Sequence, residues 1–267
     1  MISFVFCTFS GRIDNLLQTL RFLERNEPLL QKEIIVIFQD SCPIELDNCL
    51  VHNLNIETYQ KTLMCNYGIK QASNPIVALL DSDRILPENY FYDNIQRIKR
   101  KEFITTIVLK RLVEPYDDCD ILEGNYITTD DYKSTANEFR RKNLFSGNTL
   151  FYKDDYLQIG GMDEQYKGYG FADNDMTQNV ISNNMIPVYL EDEELHLFHI
   201  PEILYEGNKL NDFQIFTAIN AMIYARKWGK TDPVIHEICQ SVISKINVYP
   251  ENLQEKFKKI YKKLYVF

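Results

Sequence analysis

Three places in the sequence set carboxylates or imidazoles close enough together to do chemistry. Asp81 and Asp83 stand one residue apart at the end of IVALLDSD, residues 76–83. Asp173 and Asp175 repeat that spacing in GYGFADND, residues 168–175. His196 and His199 lie three apart at the start of HLFHIPE, residues 196–202. Hard carboxylate oxygens at close spacing suit Mg²⁺ or Mn²⁺, ions that are often shared with a phosphate. A carboxylate within reach of a hydroxyl can also take its proton as a general base. Each place has a plainer reading beside the chemical one. Asp81 to Arg84 would serve as a polar turn, Asp173 as a helix cap, and the two histidines as partly buried structural groups.

The elements that must position these groups follow from the apolar pattern. Residues 76–80 are wholly apolar, the mark of a buried central strand. Residues 2–9, ISFVFCTF, and 33–38, EIIVIF, read as two earlier strands. Between them, Ile13, Leu16, Leu17, Leu20 and Leu23 recur at helical spacing. A second helix is expected over 61–73, stopped at Asn74-Pro75 because proline disfavours helix at the residue before it. Strand, helix, strand, helix, strand implies a parallel sheet with right-handed crossovers. The polar strand ends, Thr8-Phe9-Ser10, Gln39-Asp40 and Asp81-Ser82-Asp83, would then share one rim, where open α/β sheets keep their ligands. No G-x-G-x-x-G follows the first strand, which excludes the dinucleotide fingerprint.

Further along, 87–101 reads as a helix, 103–109 and 145–151 as strands, and 42–55 as irregular chain. The acidic stretch 114–138 is expected to be a loop or lid. Residues 173–183 read as a helix that holds Asp173 near its positive end. Beyond residue 207 the chain reads as helical. In its last helix Leu253, Phe257, Ile260, Tyr261 and Leu264 line one face, with Lys256, Lys258, Lys259, Lys262 and Lys263 around them. That pattern serves either packing on the domain or contact with an anionic membrane surface.

Composition narrows the class. With 267 residues, 45% hydrophobic and 13% aromatic, the chain is long and apolar enough for a large α/β core. A net charge of −9 excludes nonspecific nucleic-acid binding as its main activity. Cys7, Cys42, Cys49, Cys65, Cys119 and Cys239 form no C-x-x-C pair and are expected to be reduced, mostly buried thiols of a cytoplasmic protein. The apolar start is too short for a signal peptide, and no run reaches about 18 apolar residues.

Four segments, in order, resemble the GT-A glycosyltransferases, and most closely the family-2 enzymes, the β-1,4-galactosyltransferases and the chondroitin-polymerase catalytic domains. EIIVIFQDS at 33–41 is similar to the family's E-I-I-V-V-D-D-G-S. Asn66-Tyr67-Gly68, then the DSD of 81–83 and Ile85-Leu86-Pro87, resemble N-x-G, D-x-D and a proline helix start. GGMDEQYKGYGFADND at 160–175 resembles G-G-x-D-E…G-W-G-x-E-D-x-D, and HLFHIPE resembles the late histidine segment. The chain departs from the pattern at Gln39 before Asp40, at Cys65, at Tyr169 and at Ala172.

The resemblance implies a single α/β GT-A domain, Rossmann-like, with a mostly parallel central sheet over residues 1–205. Residues 1–100 would bind the nucleotide sugar, 101–205 the acceptor, and 206–267 would form a helical extension. It implies donor contacts at Thr8, Ser10, Arg12, Gln39, Asp40, Asn66, Asp81, Ser82 and Asp83. Acceptor contacts would come from Tyr169, Gly170 and Asp175, and Asp173 would be the catalytic base. Asp83, His199 and His196 would hold Mn²⁺ or Mg²⁺. The activity implied is metal-dependent, inverting transfer of a hexose or N-acetylhexosamine from a UDP-sugar to a glycan or lipid-linked acceptor in polysaccharide biosynthesis. Peripheral contact with the inner face of the membrane through 253–265 is part of this expectation. Two other classes fit some of the same residues: a nucleotidyltransferase and a non-catalytic nucleotide-sugar-binding relative.

Overall fold

The computed structural model describes residues 1–112, 136–140, 143–197, 212–229, 233–244, 246–248 and 251–265. The expected loop at 114–138 falls almost wholly outside them.

The amino-terminal half alternates as its pattern requires. Strand β1 (Ile2–Thr8) leads through a short 3₁₀ turn at Ser10–Arg12 into helix α1 (Ile13–Asn26), and β2 (Lys32–Phe38) follows. Next come β3 (Cys49–Asn53), α2 (Lys61–Gln71) and β4 (Ile76–Leu80). A two-residue strand, β5 (Arg84–Ile85), and α3 (Tyr90–Arg97) complete this half. The rest of the sheet comes from β6 (Glu102–Leu112), β7 (Ala136–Arg140), β8 (Asn148–Tyr152) and β9 (Ile186–His196). Helices α4 (Lys153–Gln158) and α5 (Ala172–Ser182) lie between the last two strands. Helices α6 (Asp212–Trp228), α7 (Pro233–Ile243) and α8 (Glu251–Tyr265) follow, as the helical pattern predicts.

The sheet order is β3-β2-β1-β4-β8-β6-β9-β5, with β7 on β6. Strands β3, β2, β1 and β4 are mutually parallel, as expected. The second half is mixed: β8 runs antiparallel to both β4 and β6, and β5 antiparallel to β9. Only β6 and β9 are parallel there, so the mostly parallel expectation holds for the first half alone. The stretch expected to be irregular at 42–55 contains β3, an edge strand of half-buried and exposed residues.

Both faces of the sheet are covered. Phe4 and Phe6 of β1 point into one core with Leu16, Leu23 and Phe91. Val5 and Cys7 point into the other, against Met64, Cys65 and Ile69 of α2. A Cβ on Gly68 would stand 2.5 Å from the Val5 side chain, so only glycine lets α2 lie this close to β1. That close packing sets Lys61, at the start of α2, over the rim where β1 and β4 end.

Candidate active site

The three polar strand ends do meet on one rim. The Ser10 backbone N–H donates to Asp40 Oδ1 at 2.9 Å, and its hydroxyl to Oδ2 at 2.5 Å. Thr8 and Ser82 join hydroxyl to hydroxyl at 3.1 Å just beneath. The Arg12 guanidinium reaches Asp83 Oδ2 at 3.1 Å. A chain of contacts thus runs from β2 across β1 to the turn after β4.

Asp83 lies at the centre and is buried. Arg84 Nε lies 3.0 Å from its Oδ1, and His196 Nε2 lies 3.2 Å from its Oδ2. The backbone locks the two segments together, because β5 pairs Arg84 with His196 and the Leu197 N–H donates to Asp83 O. Burial alone would raise the Asp83 carboxyl. Arg84, His196 and Arg12 outweigh burial and hold it far below the ordinary carboxylate range. Arg84 also faces Glu194 of β9 at 3.4 Å and Asp81 at 3.8 Å. Glu194 is fully buried and accepts hydrogen bonds from Thr106 and Asn148.

Lys61 joins this cluster to the second aspartate pair. Its ammonium sits 3.0 Å from Asp81 and 3.6 Å from Asp173, and donates to Phe145 O at 2.8 Å. Burial would lower its pKa, but Asp173 and Asp81 raise it well above the usual lysine value, so it stays charged. Asp173 occupies the first turn of α5, where the helix dipole favours a carboxylate. The residue at the cap position of that helix is Phe171, in the left-handed region, whose side chain makes no cap bond.

Residues 132–200 match the family model described as the N-terminal domain of galactosyltransferase. No curated protein matches the chain by sequence. In three dimensions it is similar to S. aureus TarS 1–349 in complex with UDP-GlcNAc, with a TM-score of 0.59 at 13% identity, covering 98% of this chain and 80% of that one. It is likewise similar to GalNAc-T7 with UDP, GalNAc and Mn²⁺, with a TM-score of 0.56 at 10% identity, covering 98% of this chain. It spans 54% of that GalNAc-T7 chain, about half its length. The chain has a mixed α/β fold like that of these GT-A glycosyltransferases.

Not every residue singled out by the GT-A resemblance stands on the rim. Asn66 is turned toward the loop at 160–162. Its Oδ1 accepts from Tyr156 and from the Met162 N–H, and its Nδ2 donates to Met162 O and Glu164. A Cβ on Gly161, at φ +68, would come within 2.6 Å of that Oδ1. The N-x-G and G-G segments thus form one interlock: an asparagine clamp, and a glycine that leaves room for it. Gln39 donates to Ile56 O at 3.2 Å.

Asp175, one of the three acceptor residues expected, points away from the rim. It is buried; Tyr166 and Trp228 donate to its Oδ1, and Lys227 to its Oδ2. Its two oxygens are spent on the joint with α6, so it is displaced from Asp173 despite the matching spacing. Tyr169 is 62% exposed, and Asn220 of α6 donates to the carbonyls of Lys167, Tyr169 and Gly170. The tip of this loop is therefore held from behind and open in front.

Lys61, Arg84 and Glu194 belong to the cluster and were missed by the motif reading. Arg84 had a signal, an arginine directly after the D-x-D. Glu194 had none, being one of four consecutive acids in the EDEELH of β9.

The centre of the cluster offers a divalent ion a mixed oxygen and nitrogen donor pair. Asp83 Oδ2 and His196 Nε2 face each other across 3.2 Å, a hard oxygen and an imidazole nitrogen of the kind Mn²⁺ accepts. His199, expected as the further ligand, lies outside the described residues. Among the described residues no group of three or more His, Cys, Asp or Glu is gathered for a metal. The two residues present fit such an ion.

Proposed function

We propose that the chain transfers a hexose or N-acetylhexosamine from a UDP-sugar to a hydroxyl of a glycan or lipid-linked acceptor, with inversion, in polysaccharide assembly. The observation that carries this reading is the Lys61 bridge. It brings Asp173 to the rim that holds Asp81 and Asp83, so a base and a diphosphate site share one cleft. The solved relatives named above contain UDP or UDP-GlcNAc, one of them with Mn²⁺, which supports the donor class.

In this reading Ser10, Arg12 and Asp40 line the donor side, and Thr8 and Ser82 brace it from below. Asp83 and His196, with His199, would hold Mn²⁺ or Mg²⁺. A bound divalent ion would stabilise charge growing on the departing diphosphate as a Lewis acid. Asp173 accepts the acceptor hydroxyl's proton as that oxygen attacks the anomeric carbon. A base facing the bond opposite the leaving group gives inversion. Lys61 pairs with Asp173 and aims it, and Tyr169 offers the acceptor an exposed ring. The lysine-rich α8, whose Lys258, Lys259 and Lys262 are exposed around a buried Phe257, would rest on anionic lipid. No helix among the described residues is long and apolar enough to cross a membrane.

The test is release of UDP from a panel of UDP-sugars with Mn²⁺ and a glycan acceptor mixture. Turnover with at least one donor, lost in Asp173→Asn and retained in metal-free buffer only at a residual level, is the expected result. A chain that binds UDP and turns over no donor would be a binding relative instead. Liposome flotation with and without residues 251–267 tests the lipid contact, and equal flotation would reduce α8 to a packing helix.

A further inference from the structure

The segment 163–171 carries Tyr169 and runs straight into α5, whose first turn holds Asp173. Gly168, Gly170 and Phe171 all lie in the left-handed region, at φ +63, +92 and +63, and no helix or strand runs through them. The carbonyls of this stretch must therefore find donors outside it. By contrast, the bonds that shape the donor side at Ser10 and Asp40 come from the ends of β1 and β2.

Helix α6 supplies those donors. Asn220 is 1% exposed, and its side-chain amide donates to the carbonyls of Lys167 at 2.8 Å, Tyr169 at 3.0 Å and Gly170 at 3.1 Å. Thr217, nearly one turn earlier, donates to Tyr169 O at 3.4 Å. The loop backbone lies against the helix at the same place. A Cβ on Gly168 would stand 2.8 Å from the Phe216 side chain, and one on Gly170 would stand 3.2 Å from Thr217 Cγ2. Lys227 ties both ends of the segment, at 3.0 Å from Asp163 and 3.0 Å from Asp175. All of this comes from a helix outside the four segments that carry the GT-A resemblance.

From this arrangement we infer that Asn220 is a positioning residue for the acceptor: it fixes the backbone that presents Tyr169 and Gly170, so that α6 sets where an acceptor hydroxyl meets Asp173. The inference rests on the proposed transfer reaction and deepens it. Asn220 acts through the loop backbone and touches neither substrate. Asp173 is held separately, by Lys61 from α2. Loss of the Asn220 amide should therefore spoil the placing of an acceptor while leaving the donor and the base as they are. A misplacement of about 1 Å far from the chemistry can cost a reaction roughly 10²-fold.

The experiment compares the full chain as wild type, Asn220→Leu, Thr217→Val and Val242→Ala. Asn220→Leu keeps the side-chain volume and removes the donor. Val242 is buried on α7 in the same apolar cluster, so Val242→Ala loosens the joint and takes no hydrogen bond from the loop. Four quantities are read with Mn²⁺ present: Kd for UDP by calorimetry, UDP release to water alone, the concentration of the glycan acceptor mixture that half-saturates transfer, and the rate of trypsin cleavage at the exposed Lys167. In Asn220→Leu the half-saturating concentration should rise about tenfold, well within the worth of positioning, and cleavage at Lys167 should quicken. Kd for UDP and release to water should match wild type. Thr217→Val should show the same changes to a smaller degree, and it carries the comparison should Asn220→Leu fail to fold. Val242→Ala should melt at a lower temperature and keep the wild-type half-saturating concentration. Unchanged cleavage at Lys167 in the variants of Asn220 and Thr217 overturns the moulding of the loop by α6. Faster cleavage with an unchanged half-saturating concentration overturns the positioning role, as does an equal rise in Val242→Ala, which would be a general loosening of the joint. These results leave the transfer reading standing, because wild type still turns over. A wild type that transfers to no acceptor in the mixture rejects that reading and the positioning role with it.

Discussion

Asp173 and Asp175 stand two residues apart on one helix, yet they serve two regions built on different terms. The rim is assembled from strand ends that are distant in sequence, and its carboxylates face Arg12, Arg84 and Lys61 from three different elements. The joint behind it packs Tyr166, Ile219, Met222 and Phe257 into an apolar cluster, with the buried Asp175 held by three donors. Both regions use charge, but at the rim several acids and several cations share one network. In the joint a single buried acid takes one cation, Lys227, and two neutral donors, and removing it is expensive. An identical spacing of acids therefore says little about role until the partners are known.

That contrast can be broken most sharply at Asp173. Asp173→Asn should lower turnover by about 10²–10⁴, the usual worth of a positioned proton transfer, while UDP affinity and melting temperature stay near wild type. Steady-state kinetics beside a thermal melt reads both, and normal turnover would place Asp173 among the merely structural acids.

The reverse pattern is expected one half-turn away. Asp175→Ala leaves Lys227 without its buried partner and Tyr166 and Trp228 without an acceptor, at a cost of about 3–5 kcal/mol in unfolding free energy. Chemical denaturation measures that loss. If Asp175→Ala were as stable as wild type yet inactive, the division between rim and joint would fail.

Asn66→Ala sharpens the boundary between the regions. It removes the clamp on the 160–162 loop and takes away the acceptor of the buried Tyr156 hydroxyl, so about 2–3 kcal/mol of stability should go. The Kd for UDP, measured by calorimetry in the folded protein, should barely move if Asn66 is a clamp, and would rise tenfold or more if it touched the donor.

The smallest effect is one of pH. The Asp83 carboxyl is depressed in the fold relative to its ordinary value of 3.8, so its contribution to stability is complete above that value and is lost as pH falls through the lower folded value. Asp83→Asn should therefore be less stable than wild type at neutral pH, by on the order of 1–2 kcal/mol, with the gap closing toward strong acid. Melting temperatures from neutral pH downward check the sign, and a gap that widened with acidity would contradict it.

Sequence reasoning reached the first half of the fold because each element there carries its own signature. The apolar run 76–80 is buried on both faces, and α1 repeats its leucines at helical spacing. Strand β3 escaped because an edge strand with exposed positions has no such run. The antiparallel insertion of β8 between β4 and β6 escaped for another reason: Phe151 pairs with Val77, 74 residues earlier, and with Phe103, 48 residues earlier, and no local period encodes a distant pairing. At the site, Asp81, Asp83, Asp173 and His196 were legible as motif residues, and the structure brings them to one place. Lys61 was not legible, since a lysine at a helix start looks solvated until tertiary packing sets it between two acids. The metal role of His199 and residues 114–135 of the expected loop fall outside the described residues, while 136–138 belong to β7. Of the cysteines described, Cys7, Cys65 and Cys239 are free and buried, whereas Cys42 and Cys49 are only half-buried.

The chain contains one tryptophan, and Trp228 spends its indole N–H on Asp175 in the joint. Excited selectively, its emission is a private optical channel on how α6 sits against the start of α5 and the loop before it, silent about the sheet beneath. Tyrosines, 17 in number and spread over both halves, report on the whole. Recorded together during denaturation, the two signals would show transitions at different denaturant concentrations if the joint parted before the sheet, and coincident ones if the molecule came apart in one step.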